Sequence, residues 1–121
     1  AGIIDEISEK DGKVRIMENK TSKSDYLRKE HELQLGIYAL LFHDNYKNLP
    51  DHAGIRFLRT GTKKYVPLKE RLLAKARYEC QMAKIRNLSD YIKDYPKNPS
   101  GLCKWSNGQC SYYEKCYPYY P

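Results

Sequence analysis

"GIIDEISEKDGKVRIMENK", residues 2–20, decides how the rest of the chain is read. Two short runs rich in Ile, Val and Met, residues 2–8 and 13–20, flank "EKDGK". The Asp11-Gly12 pair inside it is a strong signal for a two-residue hairpin turn. An antiparallel pair of strands is therefore expected. In the second strand, period-two alternation puts Val14, Ile16, Glu18 and Lys20 on one face and Arg15, Met17 and Asn19 on the other. Both strands carry carboxylates, Asp5 and Glu18, and a carboxylate in an apolar strand is costly unless something compensates it.

Outward from that hairpin, Leu33, Ile37, Leu40 and Leu41 recur at three and four, predicting a helix over about 28–46 that other structure covers. Gly36 is an unfavourable residue inside it. "AGIRFLRTGTKKYVPL" predicts a strand near 53–59, a turn at Gly61 and a short return strand. Leu68, Leu72, Ala76, Cys80, Ala83 and Leu88 mark the apolar stripe of a second long helix over 67–94, which Pro96 and Pro99 stop. The order β-β-α-β-β-α, followed by a Cys-, Tyr- and Pro-rich tail, predicts an α/β fold with a mixed central sheet flanked by helices. Residues 1–100 form the core in this reading and 101–121 a separate tail. The chain enters its first apolar run at Gly2, which creates the expectation that the core's N-terminal portion lies upstream.

The chain has 121 residues and a formal charge of +7. Ten Lys and Arg between Arg56 and Arg86 face only Glu70 and Glu79 there, so this segment accounts for the net charge. Such a run is either a solvated helix face or a phosphate-facing surface, and Arg56, Arg59, Lys63 and Lys64 are its candidate nucleic-acid contacts. No apolar run approaches the roughly 20 residues that cross a bilayer, which predicts no membrane association and a cytoplasmic protein. Three of the four cysteines crowd into residues 103–121, a poor match to a disulfide scaffold.

Asp5 and Glu18 lie on paired strands and converge if the register aligns them. Two or three hard oxygen ligands describe a Mg²⁺ or Mn²⁺ site, and the metal would offset the cost of burying both charges. Lys20, two residues on and on the face of Glu18, can hold an attacking water or stabilise charge developing on a phosphate. A simple ion pair between Glu18 and Lys20 explains the same two residues. Gln34 and Tyr38, four apart in "QLGIY", share one helical face.

Taken together and in this order, "GIID", "ENK" and "QLGIY" resemble the motifs of the RecB-like branch of the PD-(D/E)XK nuclease superfamily, which includes recombination, CRISPR-associated and phage exonucleases. The resemblance covers nearly the whole chain. It implies a restriction-endonuclease-like core, with Asp5 as the first metal-binding acid, Glu18 and Lys20 as the E-x-K pair, and Gln34 with Tyr38 as the branch's Q-x-x-x-Y motif. It further implies the backbone carbonyl of Asn19 as a metal ligand. The activity implied is divalent-metal-dependent hydrolysis of phosphodiester bonds in DNA by an exonuclease of recombination or repair, in a prokaryotic or phage context.

Many members also bind a [4Fe–4S] cluster through one upstream and three C-terminal cysteines, and Cys103, Cys110 and Cys116 match those three, with wider spacing than the commoner pattern. The fourth ligand would then lie outside this chain, since Cys80 sits on an apolar stripe where a cysteine is ordinarily just buried. Zinc and unligated thiols are the competing readings. The branch's histidine or acid on a helix before "GIID" has no counterpart here, and His31, His43 and His52 read as surface residues. A fragment lacking that helix is expected to be impaired, and a second copy or a partner subunit would complete its core. A non-catalytic nucleic-acid-binding or partner-docking module on the same fold is the alternative function; Tyr112, Tyr113 and Tyr117 are candidates for base stacking or tail packing.

Overall fold

A computed structural model describes residues 2–117 of the chain, so residues 118–121 of the tail lie outside the described residues. The described residues fall into two compact units, divided between Lys84 and Ile85.

In the first unit, strands β1 (Glu6–Lys10) and β2 (Lys13–Lys20) pair antiparallel, with Glu6 opposite Met17 and Lys10 opposite Lys13. The turn between them places Asp11 at φ 52° and Gly12 at φ 73°. Two left-handed residues in a row match the right-handed twist of the flanking strands, which is why an Asp-Gly pair was legible as a hairpin. β1 starts at Glu6, four residues later than expected. The Asn19 amide is donated to the side chain of Asp5 (2.8 Å to Oδ2), where a continued strand would have offered a backbone carbonyl.

Helix α1 (Lys29–Tyr46) carries the chain from β2 to β3 (His52–Phe57), which runs parallel to β2, as a crossover through a helix permits. Strand β4 (Thr62–Val66) returns antiparallel after a turn at Gly61, which has a φ of 71° and whose N–H donates a hydrogen bond to the Phe57 carbonyl (2.9 Å), closing the loop. The sheet is mixed, in the order β1-β2-β3-β4. The element order and the mixed α/β architecture match the expectation, and both accord with a restriction-endonuclease-like core.

One face of the sheet supplies Ile16, Ala53, Ile55, Phe57 and Val66 to the core, against Leu35, Ala39 and Phe42 of α1 and Leu73 of helix α2 (Glu70–Asn87). Each large side chain contributes about 1.5–3 kcal/mol by leaving water. The packed stripe of α1 is not the expected one. Leu33, Ile37, Leu40 and Leu41 are only half-buried, while Leu35, Ala39 and Phe42 lie in the core. Apolar residues surround most of α1, so periodicity finds the helix without selecting its face. Gly36 explains itself here, because a β-carbon at that position would stand 3.1 Å from Leu72 Cγ and 3.3 Å from Ala76 Cβ of α2.

α2 is shorter than the expected 67–94. Leu73 and Ala76 are buried and Leu72 half-buried, but Cys80 is exposed and Leu88 is 79% exposed. The reading of Cys80 as a buried cysteine is thereby corrected. The helix ends before the prolines because the amides of Leu88 and Ser89 turn back onto the carbonyls of Ile85 and Arg86 (3.1 and 3.0 Å). The Tyr95 hydroxyl then donates to the carbonyls of Arg86 and Ser89, taking up the acceptors a helix end leaves free.

The second unit holds a short hairpin, β5 (Lys104–Trp105) with β6 (Gly108–Gln109), and a four-residue helix α3 (Tyr113–Cys116). The Cys110 amide donates to the Cys103 carbonyl (2.9 Å), and the rings of Tyr113 and Tyr117 stack at 4.7 Å. Among the described residues, no helix is long and apolar enough to cross a membrane.

Candidate active site

β2 divides as its alternation requires: Ile16 and Glu18 turn toward α1 and the core, Arg15 and Asn19 toward the other face. Glu18 is the residue that makes the site. It is 7% exposed, on the strand face that also carries the core residue Ile16, where an uncompensated carboxylate would be costly. Oε1 accepts from Lys20 Nζ at 2.9 Å and from Gln34 Nε2 at 3.0 Å. Lys20 Nζ also donates to Gln34 Oε1 at 2.9 Å, and Gln34 Nε2 reaches the Tyr38 hydroxyl at 3.0 Å.

These four side chains form a closed polar cluster between β2 and α1. The ion pair proposed as the simple explanation of Glu18 and Lys20 exists, but it satisfies only half of the carboxylate. Glu18 Oε2 is buried and has no hydrogen-bond partner among the described residues. An orphaned buried carboxylate oxygen costs about 1–3 kcal/mol or more, and a hard cation is what such an atom fits.

Asp5 is exposed at the head of β1. The register that sets Glu6 against Met17 places Asp5 at the position opposite Glu18. Its carboxylate is anchored by the Asn19 amide, so it sits against the backbone of the residue next to Glu18. The donor set of Asp5, Glu18 Oε2 and a backbone carbonyl is all oxygen, as Mg²⁺ or Mn²⁺ prefers. Among the described residues no three His, Cys, Asp or Glu side chains gather into a group that could hold a metal, so any such site leans on two carboxylates and the backbone.

The same finding bears on the tail, where the expected cluster ligands Cys103, Cys110 and Cys116 are not assembled into such a group. Cys103 Sγ instead accepts from the Ser100 amide (3.3 Å), Cys110 closes the hairpin through its backbone, and Cys116 ends α3.

Two of the four expected phosphate contacts are engaged within the protein. Arg56 Nη1 binds Glu6 Oε2 at 2.6 Å and Asn19 Oδ1 at 3.3 Å, and Lys64 lies 3.8 Å from Asp25. The Arg56 bond, helped by the charges of Arg56 and Arg15, holds the Glu6 carboxyl below its ordinary value, and Glu6 in turn raises Arg56. Arg59 and Lys63 are exposed.

His31 was expected at the surface and is not. Half-buried one turn before Gln34, its ring lies 6.2 Å from that of Phe57. Nδ1 accepts the Arg28 amide at 3.3 Å. Burial, with the charges of Lys20 and Arg28, pushes its pKa down. The spacing His31-x-x-Gln34 was the available signal, since residues three apart share a helical face. His43 and His52 are exposed, as expected.

The family model of the PD-(D/E)XK nuclease superfamily matches residues 1–117. Neither curated proteins nor solved structures give a match.

Proposed function

The chain belongs to the PD-(D/E)XK nuclease superfamily, and from that premise we propose that it is a divalent-metal-dependent exonuclease of the RecB-like branch, hydrolysing phosphodiester bonds in DNA. The observation that carries this reading is Glu18, buried with one oxygen clamped by Lys20 and Gln34 and the other left without a partner. A structural ion pair has no need of that second oxygen. A metal ligand does.

Asp5, Glu18 Oε2 and the Asn19 carbonyl hold Mg²⁺ or Mn²⁺ in this reading, and the bound ion supplies Lewis acidity toward the phosphate and lowers the pKa of water. The chain's own groups do the rest. Lys20 places a positive charge beside the reacting phosphate, where it orients the attacking water and offsets developing negative charge. Gln34 and Tyr38 fix the rotamers of Glu18 and Lys20, so that little reorganisation is left to the reaction step. Arg59 and Lys63, exposed in the basic segment, add sequence-independent attraction for phosphates and a steep salt dependence.

The test is cleavage of end-labelled single- and double-stranded DNA with Mn²⁺, Mg²⁺ or EDTA, beside Glu18→Ala and Lys20→Ala. Metal-dependent loss of label that disappears in both variants is the expected result. Inertness of the protein toward both substrates, with DNA binding retained, would replace the enzyme by a binding module on the same fold.

A further inference from the structure

The loop between β2 and α1 shapes a second feature, open to solvent, that the cluster around Glu18 does not use. A cavity of about 380 Å³ is lined by Lys20, Ser22, Ser24, Tyr26, Arg28 and His31 among others, and no carboxylate lines it. Its volume falls within the range of small-ligand sites, about 300–1,000 Å³. The loop that forms it is held by its own hydroxyls: Ser22 Oγ donates to the Ser24 carbonyl at 2.8 Å, and Ser24 Oγ accepts the Tyr26 amide at 3.1 Å.

The wall nearest the reaction centre is Lys20, the same residue that binds Glu18. Whatever occupies the cavity is therefore adjacent to whatever Lys20 acts on. Arg28 is exposed and makes no side-chain ion pair among the described residues, so its guanidinium is available for a planar, bidentate anion contact. His31 contributes by its tautomer. Its Nδ1 is occupied as an acceptor by the Arg28 amide, so in the neutral ring the proton resides on Nε2, which is then a donor. Two cations, hydroxyls and an imidazole N–H, with no acid among them, suit an anion of tetrahedral oxygens.

Resting on the nuclease reading of the neighbouring cluster, we propose that this cavity seats the substrate phosphate next to the scissile one on the cleaved strand, with Arg28 and His31 Nε2 as its direct contacts. The cavity thus sets which internucleotide bond is delivered to Glu18 and Lys20.

The experiment is binding of a fluorescent oligonucleotide in EDTA, where no cleavage can occur, to the unaltered protein, Arg28→Ala, Arg28→Lys and His31→Gln. A set of oligonucleotides carrying one neutral methylphosphonate at successive positions is bound in parallel. Arg28→Ala should weaken binding on the order of tenfold and reduce the slope of log K against log salt by about 1, and Arg28→Lys should restore part of both. His31→Gln should weaken binding less. One methylphosphonate position should penalise the unaltered protein and leave Arg28→Ala indifferent.

Binding by Arg28→Ala equal to that of the unaltered protein, or a methylphosphonate penalty that persists undiminished in it, overturns the proposal. So does an unaltered protein that binds no oligonucleotide. The nuclease reading fails separately, if cleavage survives Glu18→Ala or never occurs, while the binding signature is read without any turnover.

Discussion

Gln34 Nε2 donates to Glu18 Oε1 at 3.0 Å, a bond from helix α1 to strand β2 that decides which carboxylate oxygen stays free. Lys20 takes the same oxygen, and Gln34 Oε1 takes Lys20 in turn. The amide is therefore a clamp on the rotamers of both charged groups. Gln34→Ala should raise the divalent concentration needed for half-maximal cleavage by about 10–100-fold, the usual cost of losing a group that orients a metal ligand. Tyr38→Phe removes one bond to that amide and should cost about 1 kcal/mol or less. Initial cleavage rate against Mn²⁺ concentration measures both, and an unchanged curve for Gln34→Ala would remove the clamp from the account.

The orphaned Glu18 Oε2 predicts a stability effect that needs no substrate. A cation that binds only the folded chain stabilises it by RT ln(1 + [L]/Kd), about 2.7 kcal/mol at a hundred times Kd. Thermal unfolding of the unaltered protein should therefore shift upward by several degrees in excess Mn²⁺. Glu18→Gln keeps the shape of the side chain but offers no anionic oxygen, and its transition should be indifferent to the metal. Equal shifts in the two proteins would mean that the cation binds elsewhere.

The hairpin, the order of elements and the faces of β2 were legible because short-range rules govern them. Asp11-Gly12 needs only local backbone chemistry, and Glu18 and Lys20 share a face by alternation alone. The buried stripe of α1 was not legible, since Leu33, Ile37 and Leu40 offer as good a period as Leu35, Ala39 and Phe42, and only the partner surface chooses. Gly36 looked like a flaw in a helix until α2 was seen against it. The end of α2 escaped for a similar reason, because it depends on a hydroxyl from Tyr95, several residues downstream. Motif order alone singled out Asp5, Glu18, Lys20, Gln34 and Tyr38 as candidates, whereas the surroundings of His31, its bond to the Arg28 amide and the charge of Lys20 nearby, depend on a fold that no local spacing announces.

Gly54 on β3 tests how tightly the sheet face away from α1 is packed. A β-carbon there would lie 2.9 Å from the Lys64 carbonyl oxygen, 2.9 Å from Tyr65 Cδ1 and 3.1 Å from Met17 Sδ. The sulfur and the ring have some freedom to move, but the carbonyl belongs to the paired strand β4. Gly54→Ala should destabilise the protein by about 1–3 kcal/mol, as overpacking of a buried site does. Because Met17 adjoins Glu18, cleavage per folded molecule should fall as well. A urea midpoint equal to that of the unaltered protein would show that β4 can shift to admit the methyl group.

Glu6 predicts how stability depends on pH. Its hydrogen bond to Arg56, followed by the charges of Arg56 and Arg15, lowers its pKa from the ordinary value of 4.5. As pH falls through 4.5 the unfolded chain takes up the proton first, while the folded chain holds the carboxylate ionised. Stability therefore rises with pH in that window. The contribution is fully present above 4.5 and disappears as pH drops through the lower folded value. His31 adds a separate step of the same sign at higher pH, because burial lowers its pKa from 6.5 and the folded chain resists protonation. Glu6→Gln should erase the acid step and leave the step below pH 6.5 in place. Urea midpoints between pH 7 and pH 3 resolve the two: the gap between the unaltered protein and Glu6→Gln should be widest at neutral pH and close on acidification. A gap that stays constant throughout would mean that Glu6 and Arg56 do not share a bond in solution, and that Arg56 is free to meet phosphate after all.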